Sequence, residues 1–265
     1  MSTQSGYSTE GFERNEHVVD GVRSVVYSAG NGPPVVYFHG GGTFHGFEWA
    51  RDWTDRFRVI LPIHPGYGDS ADDPDITSLA DYVVHYTALF EALGMLRFGL
   101  AGASLGGRLA TEFTLTHEPM VKRLVLAAPA GVMAADCPPP PYAMMDPRDI
   151  PKMLVADPAF ITRFWPPDAD AGFMAARARE QLATARVLAD GEAADRKLRR
   201  RLPRLKVPTL VLWGGQDHVL LPGLAKHWAK VLPSATVTMI EEGGHLLLDE
   251  SPRARAVAAD FLARD

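Results

Sequence analysis

Short runs of consecutive apolar residues alternate along the chain with stretches whose apolar positions recur every three or four residues. The runs at 35–38, 59–61, 98–101, 124–127 and 210–213, and the stretch 237–240 with Thr238 inside it, are too short for helices, and the first five lack the polar alternation of a half-exposed strand. They predict strands buried on both faces, and the weakly alternating residues 22–29 predict one more. Between them, Leu79, Val83, Tyr86 and Phe90 fall on one helical face; this segment opens at Thr77, a capping residue type, and closes at Gly94, which suits a left-handed cap. Residues 105–117 and 252–263 predict two further helices, the second with Ser251 as cap and Pro252 at the tolerated first position. Strands and helices in alternation predict an α/β fold, a mostly parallel sheet flanked by helices.

Residues 131–206 break the alternation. They hold prolines at 138–141, then Met144, Met145, Met153, Phe160, Phe164 and Trp165, then an alanine-rich helical stretch at 171–189, and no strand pattern. The expected organisation is a core made of residues 1–130 and 207–265 with a helical cap inserted at 131–206. Methionine and aromatic side chains suit the wall of an adaptable apolar pocket, though most of them are needed to hold the cap itself together. Residues 196–206 carry seven basic side chains in eleven, a run that predicts a solvated helix face.

Composition narrows the classes of function. Hydrophobic residues make up 46% of the chain and charged residues 22%, which is ordinary globular usage. A net charge of −5 argues against nucleic acid, whose phosphates call for a basic face. The single cysteine, Cys137, leaves no intrachain disulfide, so a reducing cytoplasm is compatible. Residues 2–8 read as a polar, solvated tail, and no run approaches the length of a membrane span. A small-molecule substrate is the expected partner.

Chemistry concentrates at strand ends. Gly102-Ala103-Ser104-Leu105-Gly106 follows the apolar run 98–101 and opens a helical pattern. A serine on a sharp strand-to-helix turn lifts its hydroxyl above the sheet, and glycines on either side relieve the crowding of that turn. A serine hydroxyl needs a base and an orienting acid. Asp217, beyond the strand at 210–213 and two glycines, and His245, after Gly243 and Gly244, stand downstream in that order; Asp249 is a lesser alternative acid. The segment His39-Gly40-Gly41-Gly42 allows backbone amides to approach an oxyanion, with Gly41 and Leu105 as the donor pair and Gly42 as the alternative. No lysine followed by serine or threonine closes this glycine run, so it does not read as a phosphate loop. His39, His45 and His64 lack the spacing of a metal-binding H-E-x-x-H and read as hydrogen-bonded structural groups.

These residues together resemble the α/β-hydrolase superfamily, in particular its lid-bearing members related to epoxide hydrolases, haloperoxidase-like esterases and carbon–carbon bond hydrolases. The likeness runs from Phe38-His39-Gly40 through Pro65-Gly66-Tyr67-Gly68-Asp69-Ser70 and the Ser104 turn to residues 208–217 and Gly244-His245. The resemblance implies an α/β-hydrolase fold, a Ser104–His245–Asp217 triad and no cofactor. Epoxide hydrolases carry aspartate where this chain has Ser104, which implies attack on an acyl carbonyl. The carbon–carbon hydrolases typically place tryptophan after the base histidine, where this chain has Leu246, and relatives often carry aspartate where it has His64. The expected activity is hydrolysis of a carboxylic ester through an acyl-enzyme. Carbon–carbon cleavage, acyl transfer on the same triad, and a ligand-binding member of the fold without turnover are the alternatives.

Overall fold

The computed structural model describes residues 9–140, 145, 149–165, 168–189, 197–232 and 234–264. Pro141, Met144, Arg196 and the tail at residues 2–8, all of which carry expectations above, lie outside the described residues. Eight strands form one sheet in the order β1-β2-β4-β3-β5-β6-β7-β8. They are β1 (Glu13–Val19), β2 (Val22–Ala29), β3 (Pro34–Phe38), β4 (Arg58–Pro62), β5 (Phe98–Ala103), β6 (Val121–Ala127), β7 (Thr209–Gly214) and β8 (Ala235–Ile240). β1–β2 and β2–β4 pair antiparallel, and every pairing from β4 to β8 is parallel. The seven predicted strands are all present. β1 is additional: a charged sequence on the sheet edge with most of its side chains partly or fully exposed, and therefore without an apolar run to announce it.

Among the described residues there are eight α-helices: α1 (Leu79–Ala92), α2 (Leu105–Thr116), α3 (Pro158–Ile161), α4 (Ala171–Val187), α5 (Leu198–Arg201), α6 (Leu224–Val231), α7 (Leu247–Glu250) and α8 (Pro252–Leu262). β5 shows how they are divided between the two faces. Phe98 packs its ring on Phe90 of α1 and Phe113 of α2, with centroids 4.8 and 6.1 Å away. At the next residue, Gly99, a Cβ would sit 3.0 Å from Leu262 of α8. Neighbouring strand residues point to opposite faces, so α1 and α2 cover one face and α8 the other. The core is correspondingly dry: Val36, Phe38, Leu100, Phe113, Leu124 and Val211 are fully buried.

Local details correct the sequence reading in two places. The cap of α1 is Ser78 rather than Thr77, because Ser78 Oγ accepts from the Asp81 amide at 3.2 Å while Asp81 Oδ2 accepts from the Ser78 amide at 2.8 Å, a reciprocal capping box. The basic run also departs from a solvated face. Lys197, Arg200, Arg204 and Lys206 are exposed, but Arg199 donates to the Met133 carbonyl and Arg201 pairs with Glu112 of α2, while Leu198 and Leu202 are fully buried. The run is a docking element whose leucines face the core and whose inner arginines bind it.

Between β6 and β7 no strand forms among the described residues, apart from an isolated bridge between Ala134 and Cys137. This excursion holds a 3₁₀ turn (Ile150–Leu154), α3, α4 and α5. The buried side of α4 is Arg177, Glu180, Ala183 and Val187, a single stripe at helical spacing in which two of the four residues are charged.

Candidate active site

Parallel strands bring their carboxyl ends to one edge, and the loops leaving β3, β5, β7 and β8 converge there. Ser104 joins β5 to α2 at φ 53° and ψ −118°, a conformation that costs a non-glycine residue on the order of 1–3 kcal/mol. Its surroundings over-determine it. The Ser104 amide donates to Ala127 O and its carbonyl accepts from the Ala130 amide, both at 3.0 Å. A Cβ on Gly102 would lie 2.7 Å from the Gly106 carbonyl carbon, and one on Gly106 would lie 2.5 Å from that of Phe38. The glycines on both sides of the serine are thus the condition for β3, β5 and α2 to meet, and Leu105 opens α2 directly after it.

A second pair of glycine-bearing loops brings the acid and the base together. A Cβ on Gly214 would lie 2.7 Å from the Gly243 carbonyl carbon, and the Gln216 amide donates to Gly243 O at 2.9 Å. The two loops cross closely enough that His245 Nδ1 lies 2.8 Å from Asp217 Oδ2. Asp217 Oδ1 accepts from the amides of Val219 and Leu220, each at 2.8 Å. Both carboxylate oxygens are therefore fixed, and both side chains are buried.

Ser104 and His245 line one cavity of about 870 Å³, with Gly41 and Gly42 on its rim and Trp165, Met174 and Leu154 among its apolar wall. Of the aromatic residues expected in that wall, Trp165 is in place, whereas Phe160 and Phe164 pack on each other with centroids 5.4 Å apart. The arrangement offers a hydroxyl, an imidazole oriented by a carboxylate, a glycine-rich backbone and apolar volume within one enclosure.

The three histidines near the glycine segment, His39, His45 and His64, divide into two kinds. His64 Nε2 lies 2.9 Å from His39 O, its Nδ1 is bonded to Tyr86 Oη, and its amide donates to His39 Nε2 at 3.0 Å. His39 Nδ1 in turn lies 2.8 Å from Gly40 O. The simplest tautomers are neutral, each with one N–H given to a carbonyl. Burial pushes both pKa values down, that of His64 to about 3. His64 thereby gains the account that the sequence lacked: it anchors the backbone that leads into the glycine segment.

His45 is different. It lies on the cavity, and its Nδ1 is 2.9 Å from Oδ1 of Asp249. Asp249, the alternative acid, therefore serves His45, and it is Asp217 that meets His245. Beside this pair, Arg177 and Glu180 of α4 form a buried ion pair at 3.2 Å, with the guanidinium 5.5 Å from the Phe44 ring centroid. Glu180 Oε1 accepts from Thr43 Oγ1 at 2.5 Å and from the Gly68 amide at 3.1 Å, and Oε2 accepts from the Thr43 amide at 3.2 Å. Sequence reasoning missed Arg177 and Glu180. A charged side chain on an alanine-rich helix reads as solvent-facing, and the one available signal was that 177 and 180 share a stripe with Ala183 and Val187.

The nitrogens of His39 and His64 are thus engaged in hydrogen bonds. Among the described residues, a group of possible metal ligands stands elsewhere, at Asp136, Cys137 and His227, where the Asp136 carboxylate is already shared by Lys226 and His227, each at 2.8 Å.

The model of the alpha/beta hydrolase family matches residues 35–259. The chain belongs to this family. Lipase 1 of Psychrobacter immobilis is 25% identical to this hydrolase over 268 residues, 91% of the chain and 83% of the lipase. The 2-hydroxymuconate semialdehyde hydrolase of Pseudomonas sp. strain CF600 is 31% identical over 125 residues, 44% of each chain. Among solved structures, a serine hydrolase involved in carbazole degradation superposes with a TM-score of 0.76 at 22% identity, over 95% of this chain and 99% of the other. These likenesses support a hydrolase with this fold. Among the described residues no helix is long and apolar enough to cross a membrane.

Proposed function

We propose that this hydrolase cleaves carboxylic esters of small, apolar molecules through an acyl-enzyme on Ser104. The observation that carries the reading is the strained Ser104 turn opening on the same cavity as His245, whose far nitrogen is held by Asp217. In this reading His245 takes the serine proton as the hydroxyl attacks the carbonyl, returns it to the leaving alcohol, and then activates water. Asp217, fixed on both oxygens, holds the imidazole in one tautomer. The amides of Gly41 and Leu105 stabilise the oxyanion, with Gly42 as the alternative donor. Thr43 is not a donor in this scheme, because its amide is given to Glu180. Residues 131–206 act as a cap whose apolar side chains select the substrate.

Carbon–carbon cleavage is a second reading, favoured by the likeness to the semialdehyde hydrolase. Exposure to a fluorophosphonate followed by intact-mass measurement, with hydrolysis of a nitrophenyl ester alongside, tests the first. One label per chain together with turnover is expected, and Ser104→Ala abolishes both; labelling that survives in the variant rules out Ser104.

A further inference from the structure

Away from the reaction cavity, the single cysteine of the chain meets a carboxylate and an imidazole. Asp136 and Cys137 lie near the start of the excursion between β6 and β7, on a tight turn closed by the Cys137 amide donating to Ala134 O at 3.0 Å. His227 stands in the first turn of α6. One carboxylate oxygen of Asp136, Cys137 Sγ and one ring nitrogen of His227 all lie within 4.8 Å of one another. The sulfur is seated by the core: Cys137 is 5% exposed, and a Cβ on Gly223, the residue before α6, would lie 2.5 Å from it. The other two side chains reach solvent.

The groups that now hold the Asp136 carboxylate leave room for a cation. His227 Nε2 is 2.8 Å from Oδ1 and Lys226 Nζ is 2.8 Å from Oδ2. Lys226 is 67% exposed and can turn to water, and an exposed ion pair of this kind contributes little. A bound metal ion deprotonates a coordinating thiol outright, so thiolate and carboxylate together balance a divalent ion once the ammonium has left. The donor set chooses the ion. Magnesium and calcium take oxygen ligands, whereas thiolate, imidazole and carboxylate together suit zinc, at bond lengths of about 2.0–2.3 Å. Donor atoms around one zinc ion therefore stand about 3–4 Å apart, a closure within reach of the solvent-facing Asp136 and His227 side chains. None of the three residues lines the cavity of Ser104 and His245, so an ion held here takes no part in the acyl chemistry.

We propose that Asp136, Cys137 and His227 form a zinc site, completed by water as fourth ligand, that fastens the start of the excursion to α6. Cobalt(II) is the probe, because a thiolate bound to it gives a near-ultraviolet charge-transfer band and the chain has no thiol besides Cys137. Titration of the metal-stripped full chain should load one cobalt per chain, with that band and the visible bands of tetrahedral coordination, and one equivalent of zinc should bleach both. Cys137→Ser should abolish the charge-transfer band. His227→Ala should weaken cobalt binding about tenfold or more, at least what loss of an outer-shell partner costs a metal site. Lys226→Ala removes the competing ammonium and should tighten it. Zinc should also raise the Tm of the intact chain and leave that of Cys137→Ser unmoved. Absence of the charge-transfer band from the intact chain overturns the site. So does an affinity unchanged in both Asp136→Asn and His227→Ala, which would reduce it to a lone thiol, and so does a stoichiometry of one cobalt per two chains, which would place the metal between copies.

Discussion

His245 and His45 stand on one cavity, each with Nδ1 within 2.9 Å of a buried aspartate, but the two aspartates are held differently. Asp217 has its second oxygen gripped by the amides of Val219 and Leu220. Asp249 shows a side-chain hydrogen bond to His45 alone, with no backbone amide on its carboxylate among the described residues. The difference separates an imidazole fixed in one orientation from one whose charge depends on its company. A backbone grip cannot be titrated or rotated away, which suits a base that must hand a proton back and forth; a side-chain partner can respond to what enters the cavity.

The sharpest way to break this comparison is to neutralise each aspartate in turn. Asp217→Asn should lower kcat for a nitrophenyl ester by about a thousandfold or more, because the amide favours the wrong tautomer of His245, whereas Asp249→Asn should cost about tenfold or less, expressed mainly in KM. Equal losses in the two variants would show that the pairs are not distinct in kind. Next in size is Glu180→Ala. It strips the Thr43 and Gly68 amides of their acceptor and leaves Arg177 unbalanced, so kcat should fall by about ten- to a hundredfold, and thermal denaturation should show a loss of about 3 kcal/mol or more. Glu180→Gln should recover part of both, and full activity in the alanine variant would mean that the glycine segment keeps its shape unaided.

The smallest effect is that of pH on stability, and it has opposite signs for the two kinds of histidine. His64, ordinarily near 6.5 and pushed down to about 3 by burial, favours the neutral form on folding. Its contribution is complete above pH 6.5 and drains away as pH falls toward 3, and that of His39, also pushed down by burial, is lost in the same direction. His45, raised above 6.5, contributes fully below that value and loses its contribution as pH climbs through its own pKa. His85 is likewise pushed down by burial, so three depressed histidines stand against one raised one, and Tm measured from about pH 8 down to about pH 4.5 should fall by several degrees below about pH 6.5. A flat profile would place these histidines in contact with water.

The sequence made the sheet and the serine, acid and base positions legible because each is written locally: an apolar run, then small residues, then one reactive side chain. What it hid is long-range or polar. β1 is charged and lies on the edge; α6 is only eight residues long, too short for its spacing to repeat; and the contact of Glu180 with Thr43 spans 137 residues. The same carboxylate on an isolated α4 would face water, and only the docking of that helix over the β3 loop makes it an internal group.

That docking bears on how molecules reach the serine. Lifting α4 away from the sheet would strand a dry carboxylate and a guanidinium together, and at the same moment would release the Tyr67–Thr184 hydrogen bond of 2.6 Å and the Arg186–Asp72 pair. The helix is therefore held as a fixed wall of the cavity that Ser104 and His245 line, and a molecule that reaches the serine does so without displacing it.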